Sequence, residues 1–226
     1  MILQKIGWIG YHLLDVMSLK KASRTQAISN EIAWVLFLYY NRLMNNWYVI
    51  TGAPSCGKTA LIEALEERGV YVEHESARMY IDEQLSQGKT IEEIRADEEV
   101  FQREVFNHKI ETIMRCDKEK LTFFDRGMQD SYAYAELHNF NMDYADNSLD
   151  SKPVYKKVFL LELPEYKEDY ARTESKEEAE KLFDLLKDAY EGTDNMVVIV
   201  PVFDTKEERV AYFLDYLEKE EKLGIL

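Results

Sequence analysis

Gly52-Ala53-Pro54-Ser55-Cys56-Gly57-Lys58-Thr59 has the residue types and spacing of a loop that wraps phosphate. The two glycines free the backbone to curl, so that successive N–H groups point inward at phosphate oxygens. Lys58 stands where an ammonium reaches the β- and γ-phosphates, and Thr59 where a hydroxyl ligates Mg²⁺. The second candidate is Phe123-Phe124-Asp125-Arg126, an apolar run ending in a carboxylate. An aspartate at the end of a buried strand meets the magnesium of a bound triphosphate, at the sheet edge where the phosphate loop also lies. The competing role for Asp125 is a turn or helix cap, and its company with a phosphate loop favours the metal. The chemistry implied is the binding of a nucleoside triphosphate.

Those residues need a strand before the loop and a helix after it. Trp47–Thr51 is apolar enough for the strand, and Ala60-Leu61-Ile62-Glu63-Ala64-Leu65 has the composition and spacing of the helix, running to about Arg68 before Gly69. The phosphates would then sit on a helix N-terminus. Further along, Val70–His74 reads as a strand and Ser76–Gln87 as a helix broken by Gly88-Lys89-Thr90. Ile91–Arg115 is a long charged helical region interrupted near Asp97, and Leu121–Asp125 is the third strand. A helix near Asp130–Leu137 and a polar loop over Asn139–Lys152 follow. Then come strand Lys157–Leu163, helix Lys176–Tyr190, strand Met196–Phe203 and helix Lys206–Glu221. Strands alternating with helices predict an α/β domain: three layers around a five-stranded parallel sheet with right-handed crossovers.

The first 43 residues differ from the rest. They are low in acid, and Ile32–Tyr40 is almost wholly apolar. That run is shorter than the roughly 20 residues of a membrane span, and no small-residue cleavage site follows a basic start as in a signal peptide. Two readings stay open. Residues 1–43 form an N-terminal helical extension packed on the domain or on a partner, or they lie upstream of the functional start at Met44. Either way the phosphate-loop domain occupies 44–226.

A chain of 226 residues suffices for one well-buried domain. Its net charge of −15 argues against a nucleic-acid partner and disfavours an anionic membrane, while leaving room for a locally basic pocket that takes a small phosphorylated molecule. Two cysteines, Cys56 and Cys116, suit a reducing cytoplasm better than a disulfide scaffold, and with four scattered histidines they make no zinc-ligand spacing.

Asp125-Arg126 followed by Ser131, Ala133 and Tyr134 resembles the corresponding segment of thymidylate kinases and, less closely, of deoxynucleoside kinases. The longer run from Val49 to about Leu217 resembles the NadR-type AAA domain family. The stretches that carry this likeness are ITGAPSCGKT, VEHESARMYI, FQREVF, FFDRGMQDSYAY, VFLLELPEY, YARTE and the VPVF…EERV segment, in that order. The family includes the ribosylnicotinamide kinase part of a bifunctional NAD-biosynthesis enzyme and eukaryotic GTP-binding trafficking regulators.

The resemblance implies a P-loop NTPase of nucleoside-kinase topology with strand order 2-3-1-4-5. It implies that Arg126 grips the acceptor or the transferred phosphoryl group, a task suited to a planar guanidinium; the alternative is a surface salt bridge. Glu75, just past the second strand, would orient the acceptor hydroxyl or take its proton, or else stabilise a helix N-terminus. It is favoured over Glu73, which would share its face only if the strand continued. Arg78 would point into the same cleft. Gln102, with Arg103 beside it, stands where related kinases contact the acceptor, and an amide reads a carboxamide or base through paired donor and acceptor. Arg172 would belong to a lid that closes on the γ-phosphate.

The expected activity is Mg²⁺-dependent transfer from ATP or GTP to a small nucleoside-like or ribosyl acceptor, by a cytoplasmic enzyme. Its alternative is a nucleotide-dependent switch with slow hydrolysis that acts through a protein partner.

Overall fold

The computed structural model describes residues 46–142, 153–164 and 176–224, which fall within a compact unit spanning Asn45–Leu226. Residues 1–43, with Ile32–Tyr40, and Arg172 lie outside the described residues, as does most of the polar loop after Asn139.

The sheet has five strands: β1 (Trp47–Thr51), β2 (Val72–Glu73), β3 (Thr122–Asp125), β4 (Lys157–Leu161) and β5 (Val197–Val200). Their order is β2-β3-β1-β4-β5, and every pairing is parallel. This is the expected topology. The central strand β1 pairs with β3 on one side and β4 on the other and is buried along its whole length. A continuous apolar run, rather than an alternating one, is what a strand covered on both faces requires.

Seven helices are described: α1 (Lys58–Glu66), α2 (Ser76–Ser86), α3 (Ile91–Ile94), α4 (Glu98–Arg115), α5 (Met128–Leu137), α6 (Lys176–Glu191) and α7 (Lys206–Tyr216). The last runs on into a π-helical turn over Leu217–Glu221. The interruption near Asp97 has a local cause: Asp97 is the N-cap of α4, accepting from Val100 N–H at 3.1 Å. Thr90 caps α3 in a reciprocal box with Glu93.

The second strand is shorter than its sequence pattern. Val70 N–H is held by Leu65 O at 3.1 Å, closing the C-terminus of α1, and beyond Glu73 the chain turns into α2, whose N-cap is Glu75. Two residues are left for pairing. At the other edge Pro201 follows β5, and a residue with no N–H cannot extend a ladder.

Side chains alternate across the sheet into two cores. Trp47, Val49, Phe124, Val158 and Leu160 pack with Phe106, Leu182, Leu186 and Tyr190 on one face. Tyr48, Ile50, Phe123 and Phe159 pack with Leu61, Leu65, Phe213 and Leu214 on the other. Phe159 is central to the second core, its ring within 5.0 Å of Phe213 and 5.7 Å of Tyr216. Truncation of Phe159 to Ala is expected to cost about 3–5 kcal/mol, whereas Met114→Ala, at a side chain 71% exposed, should stay within about 0.5 kcal/mol. Urea unfolding of the two variants checks the contrast.

Candidate functional site

The turns after β1, β2 and β3 meet at the C-terminal edge of the sheet. The first is the phosphate loop, and its backbone takes conformations that explain its residues. Gly52 has φ +149° and Gly57 φ +92°, and a Cβ on Gly52 would lie 2.6 Å from Cys56 Sγ and 3.0 Å from Leu161 O. Gly52, Ala53 and Cys56 are buried beneath the loop, while Ser55, Gly57 and Thr59 are exposed on it. Lys58 folds back over the curl, donating to Gly52 O at 3.1 Å and Ala53 O at 3.3 Å. Burial, with the Arg126 charge beside it, lowers the Lys58 pKa.

The turn after β3 carries Asp125 and Arg126. Asp125 stands opposite Ile50 in the register, and one of its carboxylate oxygens is buried with no hydrogen-bond partner. Burial and then the Glu75 carboxylate raise its pKa, against Lys58 and Arg126. Arg126 has φ +68°, a left-handed backbone that costs a non-glycine residue energy and must be held by its surroundings.

Those surroundings are specific. Arg126 N–H donates to Ile50 O at 3.0 Å. Its Nη1 donates to Asp130 Oδ1 at 3.1 Å and to Gly52 O at 3.2 Å. Its Nε lies 2.8 Å from Glu75 Oε1 as an ion pair, without the alignment of a hydrogen bond. The guanidinium lies 5.3 Å from the centre of the Tyr134 ring. At 8% exposure this is a buried, multiply paired arginine and not a surface salt bridge.

Beneath it sits Asp130, fully buried. It accepts from Thr51 Oγ1 at 2.6 Å, from Arg126, from Gly127 N–H at 3.0 Å and from the Tyr190 hydroxyl. Burial alone would raise its pKa; Lys109, Arg126 and the hydroxyl donors outweigh that and hold it below the usual aspartate value. Lys109 of α4 is 7% exposed and donates to Gly127 O at 2.9 Å and Ser131 Oγ at 3.1 Å, so it pins the same turn. Gly127 must be glycine here because a Cβ would meet the Tyr190 hydroxyl at 2.6 Å.

Glu75 stands at the N-cap position of α2 but caps nothing with its side chain, which is turned to Arg126 instead. Glu73 points elsewhere, to Tyr71, Arg115 and Cys116. A cleft of about 770 Å³ is lined by Pro54, Ser55, Lys58, Thr59, Glu75, Arg78, Gln102, Lys109, Asp125 and Arg126 among others. That volume lies within the range of small-molecule sites. Arg78 is an exposed part of its wall, and Gln102 donates to Glu98 at 2.9 Å. Arg103 is not brought there; it pairs with Glu99 at 3.4 Å on the exposed side of α4.

Three charged residues that organise this edge escape sequence reading. Asp130 at the third position of a helix reads as a cap, which it also is. Lys109 lies seven residues beyond Gln102, a helical spacing that puts both on the cleft side of α4, and this was its only signal. Arg209, in α7 beneath the phosphate loop, sits in an acidic run that reads as solvated.

A parallel sheet ordered 2-3-1-4-5, with a glycine loop joining its central strand to a helix, defines a P-loop fold of kinase-like topology. A protein-family model described as an AAA domain matches residues 47–209, and the chain belongs to that family. Two NadR structures share the fold. One, of NadR protein in complex with NAD and AMP-PNP, matches with TM-score 0.56 and 15% identity, over 89% of this chain and 58% of that one. The other, of NadR protein in complex with NR, matches with TM-score 0.56 and 14% identity, over 84% of this chain and 54% of that one. The chain thus spans just over half the length of these NadR chains. No curated protein matches it.

The buried ion cluster generates a stability prediction. Because the native pKa of Asp130 is depressed, its contribution is fully present above the ordinary value of 3.8 and is lost as pH falls through the native value. Asp130→Asn takes the buried carboxylate from beside Lys109 and leaves Arg126 with Glu75 alone, and should cost about 3–5 kcal/mol at neutral pH. In urea titrations across acid pH, the gap between wild type and variant should narrow only below pH 3.8.

Proposed function

We propose that this protein is a small-molecule kinase, transferring the γ-phosphoryl group of ATP or GTP to a hydroxyl of a nucleoside-like or ribosyl acceptor. The observation that carries the reading is the continuity of one cleft, from Lys58 and Thr59 at the phosphate loop, past Asp125 and Arg126, to Glu75, Arg78 and Gln102. A donor at one end and an acceptor at the other would meet at Arg126. NadR proteins solved with AMP-PNP and with NR support the same pairing of ligands.

The loop N–H groups of Gly52–Thr59 and the Lys58 ammonium would hold the phosphates, exchanging the contacts of Lys58 with its own loop for phosphate oxygens. The donor set fits magnesium. Asp125 has a buried oxygen without a partner, and the exposed Thr59 lines the same cleft. Mg²⁺ usually takes one or two protein oxygens and completes its octahedron with phosphate and water. When bound, it would neutralise charge on the transferred phosphoryl group. Glu75 would orient the acceptor hydroxyl or take its proton, and Arg126 would stabilise the charge that develops on the phosphoryl oxygens. Arg172 remains a candidate lid residue.

Lys58→Met should fold and lose more than tenfold in triphosphate affinity, about 1.4 kcal/mol or more. Glu75→Gln should keep nucleotide affinity within a few-fold and lose phosphoryl transfer by a factor on the order of 10². Equilibrium binding paired with single-turnover transfer, over a panel of nucleosides and ribosides with ATP and GTP, tests both. Nucleotide turnover that no acceptor accelerates would replace the kinase by a switch that answers to a protein partner.

A further inference from the structure

Arg209 is 6% exposed. Its Nη1 donates to Cys56 O at 2.6 Å, and its Nη2 to Val200 O at 2.7 Å and Glu162 O at 2.9 Å. All three acceptors are neutral carbonyls. No carboxylate lies within ion-pair distance of it among the described residues, and its Nε is buried without a partner. Burial lowers its pKa, and only the more remote Cys56 and Glu162 side chains offset this. Arginines this buried are ordinarily matched by an acid, as Arg126 is by Glu75 and Asp130.

The carbonyl that takes the shortest of these bonds is part of the phosphate loop. Cys56 O belongs to the peptide unit whose N–H is that of Gly57, exposed on the loop and without a backbone acceptor among the described residues. A guanidinium on the carbonyl side of a peptide polarises it and makes its N–H a stronger donor on the other side. Gly57 has φ +92°, a left-handed backbone that favours glycine, and its Cα side lies next to Arg209 Nη1, where an added Cβ would make ordinary contact at 3.7 Å.

We propose that Arg209 is a positioning residue for phosphate binding, a cation set behind the Cys56–Gly57 peptide whose counter-charge is the phosphate held on the opposite side of that peptide. This rests on the nucleotide reading of the site and not on any acceptor. A purely mechanical role, tying the loop to the ends of β4 and β5, would need the hydrogen bonds and not the charge.

Two variants separate charge from tether. Arg209→Lys keeps the charge but cannot span three carbonyls, and Arg209→Gln loses both. Each should lower the melting temperature. Affinity for MgATP, MgGTP and inorganic pyrophosphate, measured by calorimetry well below both midpoints, should fall more than tenfold in Arg209→Gln and stay within about threefold in Arg209→Lys. Arg209→His reads the charge within one fold: its pyrophosphate affinity relative to wild type should rise between about pH 8 and about pH 5.5 as the ring protonates. Equal losses in the Lys and Gln variants, wild-type affinity in Arg209→Gln, or a flat pH ratio in Arg209→His would overturn the inference while leaving the nucleotide site standing. A wild-type protein that binds none of the three probes would overturn both.

Discussion

The carboxylate of Asp130 is where the elements of the site are joined. Thr51 brings the end of the central strand, Arg126 and Gly127 the turn after β3, and Tyr190 the last turns of α6. A buried charge with four donors around it has essentially one low-energy arrangement, because moving any donor leaves an ion unsatisfied in a medium of low dielectric. That constraint holds Arg126 in a left-handed backbone it would otherwise leave. It fixes the side of the cleft on which the guanidinium stands.

The same logic explains how a chain of net charge −15 presents cations where phosphate would bind. Lys58, Lys109 and Arg126 are set among Glu75, Asp125 and Asp130, so no cation faces the low-dielectric edge alone. The Lys58 ammonium rests on carbonyls of its own loop. Arg209 departs from the pattern, with three carbonyls and no paired acid, and it lies on the far side of the phosphate loop.

The two cores hold this edge in place by different means. One face is stapled by aromatic rings, with Phe123, Phe159 and Phe213 in mutual contact. The other places Tyr155 and Tyr190 so that their rings lie in the core and their hydroxyls meet the backbone of Gly127 and Met128. An amphipathic ring of this kind carries packing from the core directly into the turn that bears Arg126. At the opposite end of the sheet, Glu221 in the π-turn pairs with Lys157 and accepts from Tyr48, closing the last helix onto the two central strands.

The amino-acid sequence by itself determined the parts whose physics is local. A curl with glycine at two of its left-handed or strained positions, a carboxylate ending an apolar run, the alternation of strand and helix and the break at Asp97 are each written within a few residues. The phosphate loop, Asp125 and the parallel architecture were legible for that reason, and the strand order followed from family resemblance. Tertiary structure decided what depends on neighbours distant in the chain. The closure of α1 shortened β2, the turn after it sent Glu73 and Glu75 to different sides, and packing buried Asp130, Lys109 and Arg209, which as sequence look like a cap and two solvated charges. Whether a charged side chain is surface or site is set by the solvent it loses and the partners it gains. Both belong to the assembled fold, and neither is encoded in the residue or its spacing.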